Sequence, residues 1–377
     1  MPIRVLMVAG EASGDLHGAA VVRALKQIAP AVEVSGIGGD RMEREGMRIV
    51  QHIRDLSFMG FAEVLRNIGT IRMAERKLEE ELANRRPAVV VLIDYPGFNL
   101  RFARRVKGFG IPVLYYISPQ VWAWHKGRIR TMKGLVDRMK VVFPFEVDLY
   151  RREGIDVEFV GHPLVEHIEV QEGRDEFFRR WNLEASVKLV GIFPGSRLQE
   201  IERILPVMAS AAELLRKGRK VQVAAGVAPN LGVDVIRRYL PESSEIRLIE
   251  DGTHALMSYA DAAIVTSGTA TLETGWFGTP MAVVYRTSLV TYFIGRMLVN
   301  VPYIGLVNIV AGRKVVPEFI QNAMTPERIA GAVGSILDDP ARAAAMRRDL
   351  QVIRERLGRP GASERVARGI LTLAGVA

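Results

Sequence analysis

Residues 4–18 read RVLMVAGEASGDLHG, and this stretch decides the fold class. The run Arg4–Ala9 is apolar after its first residue, as is typical of a strand buried on both faces of a parallel sheet. It leads through a glycine-containing turn into the helical pattern Leu16–Ile28. A buried strand, a turn of small residues and a helix form the repeating unit of doubly wound α/β domains.

The same unit recurs along most of the chain. The alternation weakens only in the charged stretch 163–186, where we place a domain boundary. The expected division is a first domain over 1–168, a second over 186–345, and C-terminal helices over 346–377 that can pack back on the first domain. The further predicted strands are Val32–Ile37, Ala88–Ile93, Pro112–Ile117, Met139–Phe143, Glu158–Val160, Lys188–Phe193, Val221–Ala225, Ile246–Ile249, Ala262–Thr266 and Met281–Tyr285.

Composition excludes several classes of function. The 377 residues include no cysteine, which rules out thiol nucleophiles, cysteine-ligated zinc, iron–sulfur clusters and disulfides. We expect no signal peptide and no membrane-spanning segment, because no apolar run is long enough. Lys and Arg number 51 against 42 for Asp and Glu, a formal net charge of +9. That balance suggests a nucleic acid, an acidic membrane surface or a phosphorylated substrate as partner, or only an arginine-rich genome.

In doubly wound sheets ligands bind beyond the carboxyl ends of the strands. In the first half, Asp94 ends a buried strand before a Pro-Gly turn, so its carboxylate can accept a proton from a hydroxyl nucleophile, or it can cap the next helix. The 10–18 turn can bind an anion or sugar hydroxyl, or be a tight turn capped by Asp15. The Trp residues can stack on a sugar or pack in the core. The candidate substrate contacts here are Glu11, Ser13, Gly14, Asp15, Asn99, Ser118, Gln120, Trp122 and His162, the last of which can also be a hinge residue.

In the second half, Pro194–Arg197 and Ser267–Thr271 each follow a predicted strand and precede a helix, an arrangement that indicates an anion site. Arg197 can bind two oxygens of a diphosphate, and Glu273 can bind a ribose diol. A helix-capping box is the alternative, but it needs a spacing of three residues, not four. The candidates are Ser196, Ser267, Gly268, Thr269, Ala270 and Glu273. Without an HExxH or Asp-x-Asp pattern we expect no catalytic metal and no cofactor, so that Arg197 and helix dipoles neutralise the leaving group.

An amphipathic stretch over 56–73 stands apart from the sheet pattern. Large apolar side chains alternate there with arginines, which suits a helix lying in a membrane interface, although a helix packed on the sheet remains the alternative. The membrane-facing candidates are Phe58, Met59, Phe61, Val64, Leu65 and Ile68.

Together these motifs resemble the lipid-A-disaccharide synthase family of glycosyltransferases. The resemblance lies in AGEASGDLHGA (9–19), GIGGDRMEREG (36–46), FMGFAEVL (58–65), IDYPGFNLR (93–101), YYISPQVWAW (115–124), FPFE (143–146), FVGHPL (159–164), FPGSRLQEI (193–201), TSGTATLE (266–273) and AGR (311–313). It implies a GT-B fold, in which two Rossmann-like doubly wound parallel-sheet domains face a cleft. It also implies inverting transfer from UDP-2,3-diacylglucosamine to 2,3-diacylglucosamine 1-phosphate, releasing UDP, with Asp94 as the catalytic base and Arg197 as the essential arginine.

The resemblance also implies a cytoplasmic enzyme that associates peripherally with the anionic inner face of the inner membrane, with a homodimer as one option for its oligomeric state. Asn308 corresponds to a nucleotide contact, although Val307 stands where the family commonly has proline. Three alternatives remain: a peptidoglycan-type transferase, a UDP-sugar 2-epimerase, or a basic nucleic-acid-binding protein. We do not expect nucleic acid, because the aromatic residues occupy strand-end turns and do not alternate with basic residues on a sheet face.

Overall fold

The computed structural model describes residues 2–56, 68–119, 127–288, 292 and 302–376. Two compact units make up the chain. The first contains Met1–Glu166 and Leu357–Ala377, and the second contains His167–Arg356. The chain therefore leaves the first unit inside the charged 163–186 stretch and returns to it at residue 357, later than the 345/346 division expected from the sequence.

A seven-stranded parallel sheet forms the centre of the first unit, in the order β3-β2-β1-β4-β5-β6-β7. Strand order reverses between β1 and β4, so this pair is the switch point at which doubly wound sheets bind ligands. Ala9 is level with Ile93 in the register of the pair, so Gly10 and Asp94 leave the sheet side by side. The strands are β1 (Arg4–Ala9), β2 (Glu33–Gly38), β3 (Arg48–His52), β4 (Val89–Ile93), β5 (Val113–Tyr116), β6 (Arg138–Val141) and β7 (Val157–Phe159).

Helices cover this sheet and bury its apolar side chains. The α-helices of the described ranges are α1 (Ala12–Ile28), α2 (Asp40–Arg44), α3 (Ile68–Arg85), α4 (Pro96–Gly108), α5 (Gly127–Met132), α6 (Phe145–Arg152) and, after the chain returns, α15 (Ala362–Leu373). The returning segment is held by the Glu166 carboxylate, which accepts hydrogen bonds from the Ser363 N–H at 2.9 Å and its hydroxyl at 2.5 Å. Arg365 donates to the carbonyl oxygen of Val160 at 2.8 Å.

The second unit repeats the plan with six parallel strands, in the order β10-β9-β8-β11-β12-β13. Its order reverses between β8 and β11, where Val265 pairs with Phe193, so the turns after these strands are neighbours. The strands are β8 (Lys188–Phe193), β9 (Val221–Gly226), β10 (Arg247–Ile249), β11 (Ala262–Thr266), β12 (Met281–Tyr285) and β13 (Glu318–Ile320). The described α-helices are α7 (Arg174–Arg180), α8 (Leu198–Gly218), α9 (Val233–Arg237), α10 (Thr253–Tyr259), α11 (Thr269–Phe277), α12 (Leu306–Ala311), α13 (Pro326–Asp338) and α14 (Pro340–Leu357).

The amphipathic 56–73 stretch is described only in part. Phe58, Met59, Phe61, Val64 and Leu65 lie outside the described residues. From residue 68 onward the stretch is the start of α3. One side of that helix, with Ile71, Ala74, Leu78 and Leu82, belongs to the core of the first unit, whereas Ile68 is 41% exposed and Met73 is 56% exposed. At the described start of α3, Ile71 thus follows the alternative of packing on the sheet, whereas Ile68 is open to solvent. In the described ranges no helix is both long and apolar enough to cross a bilayer.

Candidate active site

Asp94 occupies the switch point of the first sheet with an unusual backbone. Asp94 and Tyr95 have φ values of +46° and +47°, the left-handed region that residues other than glycine rarely adopt. The Asp94 N–H donates to the Tyr116 carbonyl at 3.0 Å, which continues the pairing of β4 with β5 by one residue. Proline and glycine follow at 96 and 97, where α4 begins, so the chain turns sharply just after the aspartate.

The surroundings of Asp94 suit a general base. Burial, reinforced by the nearby Glu11 charge and opposed by a hydrogen bond from the Tyr95 N–H, raises the pKa of its carboxyl from 3.8 to about 6. An acid of this strength is ionised at neutral pH, yet it holds a proton better than an ordinary aspartate. This combination is what proton removal from a sugar hydroxyl requires.

The β1–α1 turn lies next to Asp94. Glu11 is the N-cap residue of α1 and is exposed, as is Ser13, so both stay available to a ligand. Gly10 must be glycine, because a Cβ there would lie 2.1 Å from Cδ1 of Tyr95. Gly14 is buried, and a Cβ on it would lie 3.2 Å from that of Ala9, so this glycine allows close packing of α1 on the sheet.

Asp15 was expected to bind substrate or to cap its own helix, and the structure corrects both expectations. Its buried carboxylate accepts hydrogen bonds from the backbone N–H groups of Gly39 at 2.7 Å, Met42 at 3.1 Å and Arg41 at 3.2 Å. Asp15 therefore caps the N-terminus of α2, and its oxygens are occupied within the protein. A polar residue in a glycine-rich turn cannot be assigned to a ligand or to a neighbouring helix from its sequence position alone.

Two further expected contacts of the first unit are internal. Asn99 is 0% exposed and donates to the carbonyls of Ile93 and Asp94. Buried Ser118 donates to a Glu146 carboxylate oxygen at 2.6 Å, and the other oxygen of that carboxylate accepts from the Phe143 N–H. None of these polar groups faces a substrate, so the expectation of direct contact is wrong for Asn99 and Ser118.

His162 is also enclosed within the first unit. Its Nδ1 accepts from the Leu164 N–H at 3.1 Å, its backbone N–H donates to the Leu357 carbonyl at 2.8 Å, and burial together with the nearby His17 lowers the pKa of its ring to about 3. It is thus a neutral residue beside the point where the chain re-enters the unit, in line with the hinge alternative and not with substrate contact. Gln120 and Trp122 lie outside the described residues.

A pocket of about 1020 Å³ opens at the switch point of the second sheet. One wall is the turn after β8, Pro194–Arg197. Gly195 has a φ of +107°, and a Cβ on it would lie 2.5 Å from a Glu200 carboxylate oxygen, so only glycine fits there. The Arg197 guanidinium is largely exposed and pairs with the Glu200 carboxylate at 3.1 Å, while Ser196 lines the same wall.

The facing wall is the turn between β11 and α11. Gly268 is the N-cap residue of α11, and no side chain of the described residues caps the helix, so the backbone N–H groups at the start of its first turn need another partner; Thr269 and Ala270, in that turn, line the pocket. The Ser267 hydroxyl donates to the Ile304 carbonyl and its backbone N–H donates to the Val284 carbonyl, both at 2.9 Å, so both donors of this residue are used within the protein. The buried Thr266 hydroxyl lines the pocket and has no hydrogen-bond partner within the described ranges.

Glu273 lies one turn into α11, at the inner side of the same pocket, next to a residue that sequence reasoning missed. The Nε2 of His254, in the first turn of α10, lies 3.9 Å from a Glu273 carboxylate oxygen. The interaction of the His254 ring with this carboxylate raises the pKa of His254, and burial opposes the rise. The only signal in the sequence was a lone histidine after a strand end, which is too common to predict a site.

Asn308 was expected to contact the nucleotide, and the structure contradicts this. It is 0% exposed, its Oδ1 accepts from the N–H groups of Val315 and Val316, and its Nδ2 donates to the Val316 carbonyl and to Glu318. All its polar atoms are used to fasten α12 to the segment that leads into β13. In the parts of the chain that the structure describes, no three or more His, Asp or Glu side chains are grouped to hold a metal ion.

Comparison with known proteins extends over nearly the whole chain. The family of lipid-A-disaccharide synthetases matches residues 5–368. A lipid-A-disaccharide synthase of Syntrophus aciditrophicus is 47% identical over 98% of this chain and 97% of its own, and one of Geobacter sulfurreducens is 43% identical over 99% and 97%.

Solved structures resemble the fold at low sequence identity. A UDP-GlcNAc 2-epimerase from Neisseria meningitidis aligns with a TM-score of 0.66 at 16% identity over 98% of this chain and 100% of its own. The calicheamicin glycosyltransferase CalG4 aligns with a TM-score of 0.64 at 13% identity over 99% and 98%. Both similarities support the GT-B fold, with its two parallel-sheet α/β domains, and at such identities they carry no argument about the reaction.

Proposed function

Since the chain belongs to the lipid-A-disaccharide synthase family, it is a glycosyltransferase of lipid A synthesis, and we propose that its two units divide the reaction. The second unit binds the UDP-sugar donor, UDP-2,3-diacylglucosamine. The first unit carries the base that activates the acceptor, 2,3-diacylglucosamine 1-phosphate. The observation that carries the proposal is the position of Asp94 and Arg197, each just beyond the carboxyl end of a strand at the switch point of its own sheet.

The donor site is suited to a nucleoside diphosphate. The N-terminal turn of α11 offers backbone N–H groups and the positive end of the helix dipole, and Arg197 supplies a full charge that can bind two phosphate oxygens. To do so, Arg197 exchanges its Glu200 partner for the diphosphate. Glu273 then accepts hydrogen bonds from the ribose hydroxyls, with His254 beside it to hold the carboxylate in place.

The chemical step needs one proton acceptor and one charged leaving-group site. The acceptor hydroxyl oxygen forms a bond to the anomeric carbon of the donor while the bond from that carbon to the UDP oxygen breaks. Asp94 takes the hydroxyl proton, and the negative charge that develops on UDP is stabilised by Arg197 and by the α11 amides. Attack opposite to the departing UDP inverts the anomeric configuration.

A UDP-release assay with the two acylated sugars tests this division of roles. Asp94→Asn should lower turnover by about 100-fold or more, because the amide cannot accept the proton. The affinity for UDP should stay unchanged in the same variant, as measured by calorimetry, because Asp94 lies in the other unit from the donor pocket. Turnover near that of the wild type would remove Asp94 from the mechanism, and a large loss of UDP affinity would mean that the variant acts through the donor site.

We further propose that the start of α3 faces an anionic membrane, since acylated substrates reside in a bilayer. Helices α3 and α4 enclose a groove of about 440 Å³ that exposed Ile68 borders. The groove is lined by four arginines and two glutamates, namely Arg72, Arg76, Arg101, Arg105, Glu75 and Glu79. Arg101 and Arg105 are paired with Glu75 and Glu79. Arg72 and Arg76 have no ion-pair partner within the described ranges, so their charges are available to lipid phosphates.

Vesicle sedimentation tests the membrane proposal. Replacing both Arg72 and Arg76 by alanine should weaken binding to phosphatidylglycerol vesicles by about 30-fold, since each basic residue near an anionic surface contributes about 1 kcal/mol. The matched control removes the exposed pair Arg151 and Arg152, at the end of α6. If both double variants lose the same affinity, only the net charge matters and this face has no special role.

A further inference from the structure

Two consecutive residues other than glycine, Asp94 and Tyr95, hold left-handed backbone at the turn that carries the proposed base. Such a conformation is disfavoured for L-residues and persists only where the surroundings impose it. Aspartate tolerates it better than most residues, but tyrosine has no such advantage. The question is therefore which contacts impose the turn.

Two side chains donate three hydrogen bonds to the backbone carbonyls of Ile93 and Asp94. The Tyr115 hydroxyl, from β5, donates to the Asp94 carbonyl at 2.5 Å. The Asn99 amide, from the first turn of α4, donates to the same oxygen at 2.7 Å and to the Ile93 carbonyl at 3.2 Å. The Asp94 carbonyl thus receives two donors, which occupy both of its lone pairs.

Both donors are fixed by their own burial. Tyr115 and Asn99 are each 0% exposed, and the Tyr115 ring belongs to the core of the first unit. Burial and the Asp94 charge raise the pKa of Tyr115 well above its usual value, so its hydroxyl remains a donor throughout the working pH range. The Asn99 Oδ1 has no partner within the described part of the chain. A buried amide oxygen without a partner lowers stability, so Asn99 is better explained by the hydrogen bonds that its Nδ2 donates.

We propose that Tyr115 and Asn99 are positioning residues for Asp94: by binding its carbonyl oxygen they hold the left-handed turn that sets the carboxylate at the switch point of the sheet. Without them residue 94 relaxes toward an ordinary backbone conformation, which rotates its Cα–Cβ bond and carries the carboxylate away from its half-buried position. Neither side chain can reach a substrate, so they act only through Asp94. The inference rests on the proposed role of Asp94 as base.

The chain provides a matched control in the next residue. Tyr116 follows Tyr115 on β5 and is also 0% exposed, but successive side chains of a strand point to opposite faces. Its hydroxyl has no hydrogen-bond partner among the described residues. Tyr116→Phe therefore removes the same buried oxygen atom as Tyr115→Phe without touching Asp94.

The experiment measures the pH dependence of UDP release for Tyr115→Phe, Tyr116→Phe and Asp94→Asn, with thermal unfolding as a check on folding. Tyr115→Phe should lower kcat about tenfold, as loss of one hydrogen bond predicts, with unchanged KM for both sugars. The acidic limb of its kcat/KM profile should move to lower pH, because a released carboxylate is better solvated. Tyr116→Phe should leave both readouts unchanged.

Two results would overturn the positioning role. One is a Tyr115→Phe enzyme with wild-type kcat and an unmoved acidic limb. The other is a loss of kcat with the limb in its original place, which would mark a merely structural effect. If Tyr115→Phe does not fold, Asn99→Ser is judged by the same two readouts. An active Asp94→Asn enzyme would instead refute the base assignment, and with it the positioning role, whereas an inactive one beside an unaffected Tyr115→Phe refutes positioning alone.

Discussion

Replacing Asp94 by asparagine should stabilise the protein while it removes activity. Burial holds the pKa of this carboxyl at about 6, against 3.8 for an ordinary aspartate. Because the folded state resists ionisation, Asp94 favours folding only while it is protonated. Its contribution is fully present below pH 3.8 and is lost as the pH rises through about 6. At pH 8 the ionised carboxylate therefore costs about 3 kcal/mol of stability, since each pKa unit corresponds to about 1.4 kcal/mol.

Asparagine removes this cost without disturbing the turn. It has nearly the same shape as aspartate, carries no charge and tolerates the left-handed region equally well. We expect the free energy of unfolding of the first unit to rise by about 2–3 kcal/mol at pH 8, and by about half as much at pH 5, where the folded carboxyl is mostly protonated.

Urea titrations of wild type and Asp94→Asn at the two pH values measure the effect. The control is Asp156→Asn, which removes a carboxylate from the surface of the same unit, where Asp156 pairs with Arg138. For this control we expect no gain in the free energy of unfolding that increases between pH 5 and pH 8. If Asp94→Asn is equally stabilising at pH 5 and pH 8, or is destabilising at both, then the carboxyl is not held at a raised pKa and the argument from burial fails.

Three further outcomes follow from the same geometry. Glu11→Gln should move the acidic limb of the kcat/KM profile to lower pH by less than one unit, because the Glu11 charge is the smaller of the two causes that raise the pKa of Asp94; a limb that moves upward would contradict this. Arg197→Ala should weaken UDP binding by about 10- to 150-fold in calorimetry, whereas Arg203→Ala, on the helix that follows Arg197 and outside the pocket, should not. Asn308→Ala should lower the unfolding free energy by more than 2 kcal/mol, as loss of a buried network does, and leave UDP affinity intact; a selective loss of affinity would restore its nucleotide role.

The fold class followed from the buried strands, and two of the four edge strands escaped prediction. The central strand β4 is apolar throughout, and β8 is apolar after its first residue, because both faces of the sheet are covered, so their sequences are distinctive. The edge strands β7 and β10 were predicted to within one residue, whereas β3 and β13 are mostly half-buried, mix charged with apolar residues and were not predicted. Without a continuous apolar run, the local pattern of β3 and β13 did not identify them as strands.

The candidate site was predictable where a polar side chain ends an apolar strand, as at Asp94. It was not predictable where a polar side chain serves the backbone. Asp15, Asn99 and Asn308 belong to the same set of candidates as the exposed residues, yet their side chains bind backbone N–H and carbonyl groups of neighbouring elements. A sequence motif therefore contains two kinds of residue: those available to contact a ligand, and those whose side chains hold the backbone of the site in shape.

The discontinuity of the first unit has a consequence for how the chain is made. Residues 167–356 form the second unit in one continuous stretch, so it can fold while the ribosome is still at work. The first unit, although most of it is synthesised earlier, lacks α15 and the bonds of Ser363 and Arg365 until the segment that begins at Leu357 has been made. During translation of the second unit, which is about half of the protein, the amino-terminal segment therefore exposes the apolar surface that α15 later covers. Chaperone dependence and sensitivity to premature termination should accordingly be concentrated in the half that carries Asp94.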